Sequence, residues 1–168
     1  MIEQLKQTGI PEQYLSLEIC PKLKRIFDNN TLTIKDFLFK KEDLAIIFTD
    51  KKEGPKNAMQ IASAIFRAII KNKFPLKRKI KYIDCALLSY EIQRRIDNWE
   101  EIKDSDFLIF DNLFLLDAFD LKLITPLISY RKKWELKSIY IIHKGINEIT
   151  QQHPPLKMIL TDLLTINF

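Results

Sequence analysis

The sequence predicts a three-layer α/β domain, with a five-stranded parallel sheet and helices on both of its faces. Two observations carry that expectation. Short apolar runs alternate with amphipathic stretches at helical spacing, the pattern of βαβ units. The runs are apolar at consecutive positions, as strands covered on both faces require. At 168 residues the chain fits one domain with a sizeable core. Residues 1–43 read as a helical approach and residues 44–168 as the α/β core, with right-handed crossovers placing helices on either side of the sheet.

In chain order, Glu12 to Cys20, Pro21 to Asn29 and Ile34 to Phe39 read as short helical turns. Leu44-Ala-Ile-Ile-Phe-Thr49 is the first strand. Asn57 to Lys71 is an amphipathic helix, because Met59, Ala62, Ile65, Phe66, Ile69 and Ile70 recur at spacings of three and four. Ile80 to Cys85 is the second strand, followed by a helix from about Leu87 to Trp99. Phe107 to Asp111 is the third. A longer helix then runs from roughly Asp117 to Trp134, with a bend expected at Pro126, which has no backbone N–H. Ser138 to Ile142 is the fourth strand. Short helices over 146–151 and 155–163 lead to a closing run, Leu164 to Phe168.

Composition excludes several classes. The first residues carry charge and no apolar core of a signal peptide, and no apolar run approaches a membrane span, so a cytoplasmic protein with no membrane partner is expected. Cys20 and Cys85 have no metal-ligand spacing and read as buried thiols in a reducing compartment. There is no CxxC or HExxH, and no metal is expected. His143 and His153 read as surface residues, and Trp99 and Trp134 as core or helix-end packing.

The loop between the first strand and its helix is where chemistry is expected. A strand–loop–helix opening of the form GxxxxGK[ST] wraps phosphates with backbone N–H groups; its Lys neutralises them and its hydroxyl binds Mg²⁺. Here the eight residues are Asp50-Lys-Lys-Glu-Gly-Pro-Lys-Asn57. Lys56 is retained, but Asp50 and Pro55 replace both glycines and Asn57 replaces the hydroxyl residue. Pro55 removes a donor, Asp50 and Glu53 bring negative charge toward phosphate, and Asn57 reads as a helix N-cap. The whole chain has only 3 Gly, fewer than such a site usually needs. The alternative is an ordinary β–α loop with a solvated lysine.

The third run, Asp106-Phe-Leu-Ile-Phe-Asp-Asn112, has the apolar-strand-then-Asp form of a Walker B strand. Asp111 would orient Mg²⁺. Asn112 stands where a second acid would polarise the attacking water, and an amide cannot accept that proton. Read without this role, the pair ends the strand and opens a turn.

Taken in succession, these elements resemble the AAA+ core of DnaC/DnaI-type helicase loaders. The resemblance is carried by Gly9-Ile-Pro-Glu-Gln-Tyr14, by the first strand and its altered loop, and by Tyr82-Ile-Asp84. It continues through Asp106 to Asn112, Ile139 to Ile142, and Leu156 to Phe168. It implies a P-loop fold of the AAA+ class, without a C-terminal lid, and a role in DNA replication. It also implies a nucleotide site whose remnants are Lys56, Asn57 and Asp111. The chain departs from the pattern in the loop glycines and in the acid after Asp111. It departs again near His143 and Lys144, where a polar sensor residue would lie, and near Asp162, where an arginine finger would. An N-terminal helicase-gripping domain is not expected. These losses imply a protein that binds without hydrolysing ATP; ATP with Mg²⁺ is at most a weak ligand. The implied partners are a replicative helicase, another AAA+ replication protein, or single-stranded DNA. An active loader with a divergent loop and a nucleotide-independent scaffold are the rival readings.

Charge adds a candidate surface. Lys56, Arg67, Lys71, Lys73, Lys77, Arg78, Lys79 and Lys81 lie between Gly54 and Ile83 without one acidic residue, so the formal charge of +5 is concentrated there. Lys71, Lys73, Lys77, Arg78, Lys79 and Lys81 would contact phosphates, with Phe74 or Tyr82 available for stacking. The alternative is a solvated connection. Arg131-Lys-Lys133 is a second basic cluster, at a helix C-terminus where the dipole favours cations, and needs no functional explanation.

Overall fold

The structure, a computed structural model, describes residues 8–14, 19–40, 42–48, 52–71, 80–85, 87, 99–113, 118–142, 151, 154, 160 and 162–167. A 3-10 turn at Glu12–Tyr14 precedes helices α1 (Pro21–Asn29) and α2 (Thr31–Phe39). Strand β1 (Leu44–Ile47) leads to α3 (Gly54–Lys71), and β2 (Ile80–Asp84) to the short α4 (Trp99–Lys103). Strand β3 (Phe107–Asp111), α5 (Ala118–Lys133), β4 (Lys137–Ile142) and β5 (Leu164–Asn167) complete the order. The predicted helices at about 87–99, 146–151 and 155–163 fall largely outside the described residues.

All five strands are parallel, in the order β2-β3-β4-β1-β5. The central strands β1, β3 and β4 are buried on both faces because they are apolar at successive positions. The edge strand β5 alternates and exposes Thr165 and Asn167. On one face Leu44, Ile46, Phe107, Ile109, Ile139, Ile141 and Ile166 pack against α1, α2 and α3. On the other, Ala45, Leu108, Phe110, Tyr140 and Ile142 meet Ile124, Leu127 and Ile128 of α5. Phe110 and Tyr140 stack there at 5.2 Å. No helix among the described residues is long and apolar enough to cross a membrane.

Several predicted boundaries shift for local reasons. Strand β1 ends at Ile47, although the Phe48 N–H still donates to the Ile142 carbonyl at 3.0 Å. Helix α3 begins at Gly54, three residues before the predicted start. Proline fits the first turn of a helix, where its missing N–H is not needed and its φ is already helical. Asn57 is therefore inside the helix and is not its N-cap: its N–H donates to the Glu53 carbonyl at 2.9 Å. Cys20 is exposed, against the expectation of a buried thiol, while Cys85 is buried; both are free.

The opening segment closes the β2 edge. The Thr8 carbonyl accepts from the Tyr82 N–H at 2.8 Å. Gly9 turns with φ +83, a left-handed conformation that favours glycine. Ile10 then enters the core and Tyr14 packs against it.

Buried polar groups tie the N-terminal helices to the sheet. Asp43 accepts from the Ser138 N–H at 2.8 Å and the Tyr140 hydroxyl at 3.3 Å. Burial raises the Asp43 carboxyl above its usual range. The Lys137 ammonium donates to the carbonyls of Lys40 and Glu42.

Arg131 has a role beyond the dipole-favoured cation that the sequence suggests. It is fully buried. Its guanidinium donates to the carbonyls of Lys103, Ser105 and Lys137 at 3.0, 2.9 and 2.6 Å, and to the Ser138 hydroxyl at 3.2 Å. Burial lowers its pKa to about 10, so it stays charged at neutral pH. Helix α5 ends beyond it with Glu135 in a left-handed conformation at φ 54, the Leu136 N–H reaching back to the Arg131 carbonyl.

Candidate nucleotide site

Parallel pairing brings the C-terminal ends of all five strands to one edge, where ligands of open α/β sheets bind. Helix α3 starts there after β1, and β3 delivers Asp111 to the same edge. Strand β4 lies between them, separating the two parent strands by about 10 Å. Lys56 is exposed in the first turn of α3, and Asn57 is half-buried beside it.

Gly54 has a packing role. A Cβ at this position would lie 2.1 Å from Cδ2 of the buried Phe48 ring and 2.8 Å from Cγ and Cε2. The last core side chain after β1 thus lies directly against the first residue of α3. Pro55 follows with no N–H to offer, so the α3 terminus has fewer donors than a glycine-rich loop supplies.

Asp111 ends β3 at 7% exposure. Register pairs it with Asp84 on β2, and Tyr82, two residues before Asp84, faces the same side. The Tyr82 hydroxyl donates to Asp111 Oδ2 at 3.0 Å, and the Asn112 N–H donates to Oδ1 at 2.8 Å. Asn112 adopts φ 56 and gives its side-chain amide to Asp84 Oδ1 at 2.9 Å. Both Asp111 oxygens therefore accept from this chain's own donors.

The electrostatics follow from that closure. Burial raises the Asp111 pKa and the Asp84 charge adds to the rise, while donation from Tyr82 and Asn112 lowers it. Burial and then the Asp111 charge raise Tyr82. Burial pushes the nearby Cys85 thiol up. Among the described residues no group of three or more His, Cys, Asp and Glu side chains is placed to hold a metal ion. Asp111 with Asp84 nonetheless has the carboxylate chemistry that suits Mg²⁺.

A pH-dependent test follows. In Asp111→Asn, the amide oxygen accepts from the Asn112 N–H, and the amide N–H donates to Tyr82 once that hydroxyl rotates. A carboxyl with a raised folded pKa costs stability when ionised, and the cost vanishes once it is protonated in both states. Wild type should therefore lose stability relative to Asp111→Asn as pH rises from about 4, the unfolded value, through the folded one. Urea unfolding of both proteins across pH 4–8 checks this; a difference that does not change with pH contradicts it.

The sequence-predicted residues meet different fates. Lys56, Asn57 and Asp111 share the C-terminal edge of the sheet. Lys71 is the last residue of α3, and Lys73, Lys77, Arg78 and Lys79 lie outside the described residues. Lys81 is largely covered and pairs with Glu101 at 2.9 Å, so it is not a freely presented phosphate contact. Tyr82, read as available for base stacking, instead gives its hydroxyl to Asp111. It and Asp84 were missed as partners of that carboxylate, although their alternation in Tyr82-Ile-Asp84 already places them on one face.

No protein-family model and no curated protein sequence matches the chain. Solved structures do. The crystal structure of the DnaC helicase loader matches with a TM-score of 0.63 at 17% identity, covering 84% of this chain and 90% of that one. That of DnaI matches with a TM-score of 0.69 at 11% identity, covering 94% and 93%. Domain III of the Thermotoga maritima replication initiation protein DnaA matches with a TM-score of 0.64 at 10% identity, covering 90% and 69%. The chain has the α/β P-loop fold of these AAA+ proteins.

Proposed function

We propose that the chain is a replication-associated AAA+-like protein that acts by binding and does not hydrolyse ATP. The observation that carries this reading is Asn112. It stands after the Walker-B-like Asp111, and its amide is turned onto Asp84, so no acid occupies the place where water would be activated. Pro55 in the first turn of α3 and the closure of Asp111 by Tyr82 support it. The fold shared with DnaC, DnaI and DnaA suggests a replicative helicase or another AAA+ replication protein as partner. Single-stranded DNA is a further partner through the basic segment around Lys73, Lys77, Arg78 and Lys79.

Native mass spectrometry with a hexameric replicative helicase from the same host tests the reading. A complex that forms equally with and without MgATP is expected. A complex that needs MgATP and is lost in Lys56→Ala supports the rival instead, an active loader with a divergent loop; retention of Lys56 and Asp111 is what favours that rival.

A further inference from the structure

Strand β2 lies at an edge of the sheet, and its Tyr82 is fixed at both ends. The Tyr82 N–H donates to the Thr8 carbonyl at 2.8 Å, and the hydroxyl donates to Asp111 Oδ2 at 3.0 Å. The residues that hold the backbone end are firmly seated. Thr8 is buried, and its hydroxyl oxygen accepts from the Ile10 N–H at 3.2 Å. Gly9 turns so close to β2 that a Cβ there would lie 3.4 Å from the Tyr82 carbonyl oxygen. Ile10 is buried in the core, and the Tyr14 N–H closes the next turn on the Pro11 carbonyl at 2.9 Å. A segment remote in sequence from Asp111 thus positions the ring that reaches it.

The two donors to Asp111 differ in kind. The Asn112 N–H at Oδ1 belongs to the same turn and moves with the carboxylate. The Tyr82 hydroxyl comes from a neighbouring strand and a half-buried ring, so it can leave while the carboxylate stays. What it covers has a defined chemistry. Parallel register places Asp84 beside Asp111, with neighbouring strands about 5 Å apart. A buried carboxylate that loses its donor needs a proton or a cation instead. Two adjacent carboxylates suit a hydrated divalent cation, since Mg²⁺ and Mn²⁺ prefer oxygen ligands and Mg²⁺ keeps several waters.

We propose that Tyr82 is a latch, held by the Thr8–Tyr14 segment, that closes the Asp84–Asp111 pair to a divalent cation until that segment is displaced. The latch rests on the non-hydrolysing site proposed above and names what keeps its carboxylates closed.

Mn²⁺ titration of the full chain without nucleotide, read by electron paramagnetic resonance of the free ion, tests it. Wild type is expected to bind Mn²⁺ only at millimolar concentration. Tyr82→Phe keeps the ring and loses the hydroxyl, and should bind at least roughly tenfold more tightly, the equivalent of one hydrogen bond to a charged group. Adding Asp111→Asn should abolish that gain. Gly9→Val keeps the hydroxyl but disfavours the left-handed turn, and should tighten binding by a smaller factor. Circular dichroism confirms folding of each variant, and Gly9→Ala replaces Gly9→Val if the latter does not fold. The proposal is overturned if wild type already binds Mn²⁺ at micromolar concentration, or if folded Tyr82→Phe binds no more tightly than wild type. It is equally overturned if the gain survives Asp111→Asn, or if the folded Gly9 variant binds as wild type does. The titration contains no nucleotide and leaves Lys56 intact, so these failures are distinct from failure of the non-hydrolysing reading, which tight MgATP binding by wild type reports.

Discussion

Replacing Arg131 with alanine is expected to cost about 3–5 kcal/mol of folding stability, the usual consequence of breaking a buried, hydrogen-bonded charge site. The guanidinium is fully buried and donates to carbonyls from three places, the end of α4, the approach to β3 and the start of β4. Removing it leaves those oxygens buried without their donor. Lysine should recover only part of the loss, because one ammonium cannot reproduce a planar fork of five N–H groups. Against a typical total of about 5–15 kcal/mol, the alanine variant would be marginal at growth temperature. Urea unfolding measures the difference, and a loss below about 1 kcal/mol would mean that Arg131 does not join α5 to the sheet.

The second large effect is expected at Gly54. Alanine is the better helix former by about 1 kcal/mol, so propensity alone predicts stabilisation. The added Cβ, however, would meet the Phe48 ring at 2.1 Å, and overpacking a filled core costs about 1–3 kcal/mol. A net loss is expected, with Tm falling by roughly 2–4 °C per kcal/mol in a domain of this size. The cause can be isolated by pairing the change with Phe48→Leu. If the ring is the obstacle, the two substitutions together should cost less than their sum. Additive losses would instead place the requirement for glycine elsewhere, for instance in the loop's backbone.

These two residues also mark how far the sequence could be read. Continuous apolar runs such as Phe107 to Asp111 fixed the strands well, because burial on both sheet faces leaves no polar alternation to confuse. The start of α3 was misplaced because Gly54-Pro55 was read as part of a phosphate loop, although proline just inside a helix is a start signal. Arg131 was read with Lys132 and Lys133 as one cluster of cations favoured by the helix C-terminus. Yet Ile124, Leu127, Ile128 and Arg131 follow one another at spacings of three, one and three, placing the arginine on the buried stripe. That signal was present and outweighed by residue type.

The site was legible only in part, for a different reason. Asp111 could be found because an apolar run that ends in a carboxylate is a local pattern. Its partners could not, since the pairing Asp84↔Asp111 depends on which strands become neighbours. No local pattern contains that information. The Phe48–Gly54 contact is likewise set by the angle at which α3 crosses the sheet.

The central claim is that an AAA+ fold persists here without a working nucleotide site. Titration of a fluorescent ATP analogue with Mg²⁺ against wild type and Lys56→Ala tests it most directly. The account predicts no saturable binding below millimolar concentration, and the same weak signal for both proteins. Micromolar binding that disappears in Lys56→Ala would contradict it.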